Sequence, residues 1–243
     1  MNKNEIEKLY SLRWATSETL RNPKKAKELA EHNLKILNIL LGDEPDKNKT
    51  PKPLKRADIV MIIGHTKSSS GAFSEHLGKY GMSEYKFNSL IAGYAKDYSK
   101  TRGYKLTLVF RDNIGRKGAG ELASKIAGKD GIVLHLHFNS TKGASGAETL
   151  FDTREKDNKE FAKIVQTNMV TFLKTRNRGT KVRDTGRGAY NLEMVTSTGC
   201  LVEPFFAEDK NTAEFIYKNR RGYAKLLVDS CIEFFNSKGS NLG

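Results

Sequence analysis

Two histidines and two glutamates stand in apolar company where an ionisable side chain needs a reason: His65 in MIIGHTK, Glu84 in GMSEYKFN, His137 in LHLHFNS and Glu203 in CLVEPFF. Nitrogen and carboxylate donors of this kind make up a hydrolytic zinc site, in which the protein supplies three ligands and a fourth position stays open to water. His65, Glu84 and His137 would supply the ligands, and Glu203 would take the proton. Flanked by Leu201, Val202, Pro204, Phe205 and Phe206, the Glu203 carboxylate is costly to bury without a partner. It should be paired, metal-linked or catalytic, and a buried structural salt bridge is the competing account. His135 and His137 lie two apart on one extended run and so share a face; on residue type alone either could bind metal, and both could line the site. Taken singly, His65 reads as a structural histidine at a strand end, and Glu84 as a first-turn acid favoured by the helix dipole, with Ser83 as its N-cap.

These residues must be held by elements that bring them together. Past residue 55, short β-rich runs alternate with helical ones. The strand candidates are Asp58–Ile63, Lys105–Phe110, Ile132–Phe138, Ala147–Phe151 and Cys200–Pro204. The helix candidates are Glu84–Tyr98, Lys117–Ala127, Lys156–Lys174 and Ala213–Asn236. Such alternation implies an α/β sandwich whose sheet is covered on both faces, and in such sheets sites collect at the carboxyl ends of strands. His65, His137 and Glu203 all fall at or near strand ends, so three of the four residues can converge on one rim.

Before residue 55 the pattern changes. Residues 24–41 place Leu29, Ala30, Leu34, Leu37 and Leu41 on one helical face, with Pro23 before and Gly42 after. A segment around Ile6, Leu9, Tyr10 and Trp14 could pair with that helix, and the stretch DEPDKNKTPKPLKR reads as a linker. The expected division is a helical extension and linker over 1–55 and a catalytic domain over 56–243. The extension could pack against that domain or target a wall or membrane; an apolar stripe of its width favours packing.

Composition sets the bounds. A chain of 243 residues can bury one full core. Its longest apolar runs fall far short of the roughly 18 residues that span a bilayer, so no transmembrane segment is expected. MNKNEIEKLYSLRW has scattered charge and no apolar h-region, so it does not read as a secretory signal. The two cysteines, Cys200 and Cys231, have no CxxC spacing and read most simply as small buried hydrophobes. A net charge of +14 favours an anionic partner, yet there is no arginine-rich block or nucleic-acid motif, so no nucleic acid is expected. Anionic wall polymer or an anionic membrane surface would suit the charge as well as a merely solubilising surface would.

Seven segments, in order over roughly residues 58–238, resemble the zinc-dependent N-acetylmuramoyl-L-alanine amidases of the amidase 3 type, especially their phage lysin branch. They are IVMIIGHTKSSSGA, GMSEYKFNSLIA, LTLVFRD, LHLHFNS, GASGAETLFD, TGRGAYNL and CLVEPFF. The resemblance implies a mixed twisted sheet with helices on both faces. It implies Zn2+ on His65, Glu84 and His137, choosing His137 over His135 because the ligand lies two residues before Asn139, and it makes Glu203 the general base and acid. Asn139, Arg111, Arg187 and His135 become candidate substrate contacts. The implied reaction is hydrolysis of the amide between N-acetylmuramic acid and L-alanine in bacterial peptidoglycan. With no signal peptide, such an enzyme would be made in the cytoplasm and reach the wall by holin-type or other release. Two departures stand out: His135 itself, and Gly199 where a proline is frequent.

Other chemistries fit less well. GRKGAGELASKIAGKD lacks the GxxxxGK[ST] spacing of a phosphate loop, and Ser68–Ser70 read as a flexible loop rather than a nucleophile site. A zinc peptidase acting on stem peptides is the alternative enzyme, but the HxxE motif of the carboxypeptidases is missing, since Thr66, Lys67 and Ser68 follow His65. A catalytically inactive wall-binding relative is the third reading, against which the intact set of four residues argues.

Overall fold

The computed structural model describes residues 58–186 and 188–238. These belong to the second of two units, Met1–Leu54 and Lys55–Gly243. The expected helix over 24–41 and the segment around Trp14 lie outside the described residues, as does Arg187.

The strands are β1 Ile59–Ile63, β2 Phe73–Ser74, β3 Met82–Ser83, β4 Leu106–Val109, β5 Ile132–Leu136, β6 Ala147–Phe151, β7 Asn177–Val182 and β8 Thr198–Glu203. The helices are α1 Glu84–Thr101, α2 Gly115–Ala127, α3 Asn158–Leu173, α4 Ala189–Leu192, α5 Lys210–Lys218 and α6 Arg220–Lys238. Six strands form one mixed sheet in the order β4-β1-β5-β8-β6-β7, in which β4, β1, β5 and β8 run parallel and β6 runs antiparallel to β8.

Both faces of the sheet are covered, as the alternation of runs implied. Ile59, Met61 and Ile63 of β1 and Ile132, Leu134 and Leu136 of β5 face the larger core with α1, α3 and α6. Val60, Ile62 and Val133 face the smaller core against Ala119, Ala123 and Ala127 of α2. Strands buried on both faces must be apolar at every position rather than at alternate ones, and β1 is buried throughout. Cys200 and Cys231 are buried free thiols.

Several bounds differ from the expected ones. The helical run Ala213–Asn236 is two helices: Asp209 caps α5, whose last turn ends at Asn219, and α6 starts afresh at Arg220. The run expected to extend as strand to Phe138 is regular strand only to Leu136; beyond it the His137 N–H still donates to the Val202 carbonyl at 3.2 Å and the Asn139 N–H to that of Phe205 at 2.9 Å, while the Phe138 N–H turns to Glu84 of α1. Strand β7 was not foreseen. Ser68–Ser70 form part of a hydrogen-bonded turn, with the Thr66 N–H donating to the Ser69 carbonyl at 3.0 Å.

Gly199 has a local cause. Its N–H donates to Asn158 Oδ1 at 2.7 Å, a bond that proline could not make. A Cβ there would stand 2.8 Å from the Val133 carbonyl oxygen.

Candidate metal centre

The strand order sets the site. Register aligns Ile63 with Leu136, and Leu136 with Val202. The carboxyl ends of β4, β1, β5 and β8 therefore present Arg111, His65, His137 and Glu203 in a row along one rim. Glu84 reaches the same rim from the first turn of α1, where Ser83 accepts from the Lys86 N–H as N-cap.

His65, Glu84 and His137 come together: one donor atom from each lies within 4.8 Å of the others. Glu84 is buried, and its carboxylate is fixed by four contacts. Oε1 stands 2.8 Å from His137 Nδ1 and accepts from the Phe138 N–H at 3.1 Å. Oε2 stands 3.1 Å from His65 Nε2 and accepts from the Ala72 N–H at 3.2 Å. Burial alone would raise the Glu84 carboxyl, but hydrogen bonds from His137 and His65 outweigh it and hold it at about 2. Burial lowers His137, more than Glu84 raises it, the direction that favours the neutral imidazole a metal ligand must be. His137 Nε2 is a buried nitrogen with no hydrogen-bond partner among the described residues. Two imidazoles and one carboxylate, without thiolate, form a donor set suited to zinc, and the residues present fit that metal.

Backbone geometry makes room for the donors. His65 adopts a left-handed φ of 66°, uncommon outside glycine, asparagine, aspartate and histidine. Asp112 steadies its loop by accepting from the Lys67 N–H at 2.8 Å and the Tyr85 hydroxyl at 3.1 Å. Gly71 has φ 78°, and a Cβ there would lie 2.6 Å from His65 Cδ2 and 2.7 Å from Glu84 Oε2.

Glu203 closes β8 beside this cluster and lines the same cavity, of about 730 Å³. Its apolar neighbours are buried, and Glu203 itself is partly so: its Oε2 is buried, while the residue as a whole stands at the strand end that lines the cavity. Asn139 lines the cavity too. Its Nδ2 donates to Glu148 Oε1 at 3.1 Å, and Arg178 Nε holds Glu148 Oε2 at 2.6 Å. Arg111 lines the cavity with Nη1 donating to Asn191 Oδ1 at 3.2 Å.

His135 does not line the cavity. It sits within β5, one pleat behind His137, and is 3% exposed. Burial above all, with the charges of His137 and Arg111, lowers its imidazole to about 3. An unfolded histidine titrates near 6.5, so between about 6.5 and about 3 the unfolded chain binds the extra proton. Stability therefore falls as pH drops through that window, by up to about 1.4 kcal/mol per pH unit from this group. His135→Gln should flatten the decline in urea midpoint between pH 7 and 5; an unchanged slope would mean that His135 is not held neutral.

Reading along the sequence missed Glu148 and Arg178 as supports of Asn139, and missed Arg116, Tyr190 and Asn191 in the cavity wall. For Arg116 a signal existed: it lies in a helix's first turn, where the dipole disfavours a cation.

A family model described as N-acetylmuramoyl-L-alanine amidase matches residues 59–230. The chain is 26% identical over 136 residues to the uncharacterized protein YqiI of Bacillus subtilis strain 168, covering 55% of this chain and 64% of that protein. Among solved structures, it is similar to Cwp6 from Clostridium difficile, with 22% identity and a TM-score of 0.60 over 72% of this chain and 29% of that one. It is also similar to the catalytic domain of the CD27L endolysin targeting Clostridia difficile, with 24% identity and a TM-score of 0.58 over 73% of this chain and 98% of that one. The chain thus spans less than two thirds of the length of YqiI and of Cwp6, and at these identities the structural likenesses are likenesses of fold. With its central sheet, its flanking helices and a family match over most of its length, the chain belongs to the amidase 3 family of N-acetylmuramoyl-L-alanine amidases.

Proposed function

We propose that this chain hydrolyses the amide between N-acetylmuramic acid and L-alanine in bacterial peptidoglycan, with Zn2+ held by His65, Glu84 and His137. The observation that carries this reading is the convergence of those three donors within 4.8 Å on the cavity that Glu203 also lines. Zinc bound there would lower the pKa of water towards about 7 and polarise the scissile carbonyl. Glu203 takes the proton of the attacking water and passes it to the departing amine. Hydroxide adds to the lactoyl carbon, the carbon–nitrogen bond breaks, and the products are a glycan with a free lactoyl carboxylate and a stem peptide with a free L-alanine amine. Because Asn139 Nδ2 is engaged by Glu148, its Oδ1 is the atom left to accept from a substrate N–H.

The same proposal makes the chain a lysin that degrades the cell wall after holin-type or other release; its fold likeness to an endolysin catalytic domain supports that reading. Its net charge of +14 suits contact with anionic wall or membrane surfaces. Among the described residues no helix is long and apolar enough to cross a membrane.

The test is mass spectrometry of digested peptidoglycan together with metal analysis. Stem peptides with a free L-alanine amine should appear without new reducing sugar ends, and the protein should carry about one zinc per chain. Chelation should abolish release and added zinc should restore it. Cuts inside the peptide, new reducing ends, or full activity after thorough demetallation would each overturn the reading.

A further inference from the structure

The cavity wall opposite Glu203 gathers positive charge. Arg111 and Arg116 both line it, and neither forms an ion pair among the described residues. Arg111 has Nη1 committed to Asn191 and Nε buried without a partner, and its Nη2 makes no hydrogen bond among the described residues. Burial, and next the nearby Arg116 charge, push the Arg111 guanidinium down to about 10. Glu84 is the acid it senses, but both Glu84 oxygens are already taken by the histidines and by backbone N–H groups. Arg116 is held over the Tyr190 ring, 5.4 Å from its centroid, which fixes an otherwise free exposed side chain.

A second observation points the same way. Helix α2 follows the carboxyl end of β4, and its start, with Ile114, Gly115 and Lys117, lines a neighbouring pocket that shares Arg116 and Tyr190 with the site cavity. That end has no side-chain cap and no acid in its first turn; the residues there are Arg116 and Lys117, the sign that the dipole disfavours. Two guanidiniums and an uncapped helix start repel one another, and a bound anion is what offsets that repulsion.

Resting on the amidase reading above, we infer that Arg111 and Arg116 form a subsite for a carboxylate of the stem peptide. The chain therefore favours stem peptides whose residue next to L-alanine carries a free carboxylate over those carrying a carboxamide there. The carboxamide has the same shape but lacks the charge that two guanidinium forks recognise.

The test compares N-acetylmuramoyl-L-alanyl-γ-D-glutamate with its carboxamide counterpart as substrates, and L-alanyl-γ-D-glutamate with its carboxamide as ligands in calorimetry on the full chain. The acid forms should be favoured by about tenfold or more, chiefly in KM and in affinity, the scale of one charge-assisted hydrogen bond. Arg111→Gln and Arg116→Gln should bring both ratios towards one, and Arg116→Lys should keep part of the preference. Arg116 is exposed, so its substitution does not threaten the fold. Equal handling of acid and amide by the parent, or ratios unmoved by both Gln variants, would overturn the inference. Loss of cleavage at the L-alanine amide with the binding ratio intact would sink the amidase reading and leave the subsite standing.

Discussion

Replacing Glu203 with glutamine is expected to lower peptidoglycan hydrolysis by roughly 10² or more, the scale of lost general base catalysis, while bound zinc stays at the parent's level. Gln keeps the shape and hydrogen-bonding reach of Glu but accepts no proton. The separation of roles follows from position: Glu203 ends β8 and lies outside the donor cluster of His65, Glu84 and His137. His137→Ala should lose both zinc and activity, because it removes a donor and frees one side of Glu84. His135→Gln should keep its zinc, since His135 is enclosed in β5 behind the cluster. Zinc stoichiometry and turnover for the three variants decide the matter. If Glu203→Gln lost its metal while His137→Ala kept it, the ligand set would have to be rebuilt around Glu203 and His135.

Gly64→Ala is expected to do comparable damage without replacing a polar side chain. A Cβ at Gly64 would lie 2.5 Å from the Leu136 carbonyl oxygen, 2.6 Å from His137 Cε1 and 2.7 Å from His137 Nδ1. That carbonyl cannot move freely, because it already accepts from the Gly64 N–H at 2.9 Å and from Asn88 Nδ2 at 3.0 Å. Either the β1 and β5 ends part or the His137 ring swings away from Glu84. Overpacking of this kind costs about 1–3 kcal/mol, and a displacement near 1 Å at the reacting centre can lower the rate about 10²-fold. Zinc content should fall with the rate. Gly93 has open space around it in α1, so Gly93→Ala serves as the control and should leave zinc and turnover at parent values. Equal behaviour of the two variants would show that the close approach at Gly64 does not govern the site.

What could be read from the sequence, and what could not, follows from how each residue is held. β1, β5 and β8 were legible because strands covered on both faces must be apolar throughout, and the apolar runs end where His65, His137 and Glu203 stand. β7 was not, because NRGTKV is a half-exposed edge strand whose polar composition resembles a loop. The break at Asn219 between α5 and α6 was hidden because apolar residues continue on both sides of it. The wall made by Tyr190 and Asn191 was out of reach for another reason. Its place depends on the segment after α4 packing against α2, where a Cβ on Gly120 would come within 2.7 Å of Met194 Cβ, and no local pattern announces that contact. Arg187 carries the sequence expectation of a substrate contact and nothing more, being outside the described residues.

The three proposed donors are spread over residues 65 to 137 and belong to the end of one strand, the start of a helix and the end of another strand. No short fragment of the chain contains all of them, so an ion held there would act as a cross-link present only in the folded state. Folding and metal uptake would then be linked by mass action: above saturation, each tenfold rise in free zinc would add about 1.4 kcal/mol to the stability of the fold. The same residues that would prepare the reaction would also tie β1, α1 and β5 together, so scarcity of metal would loosen the fold as well as halt the chemistry.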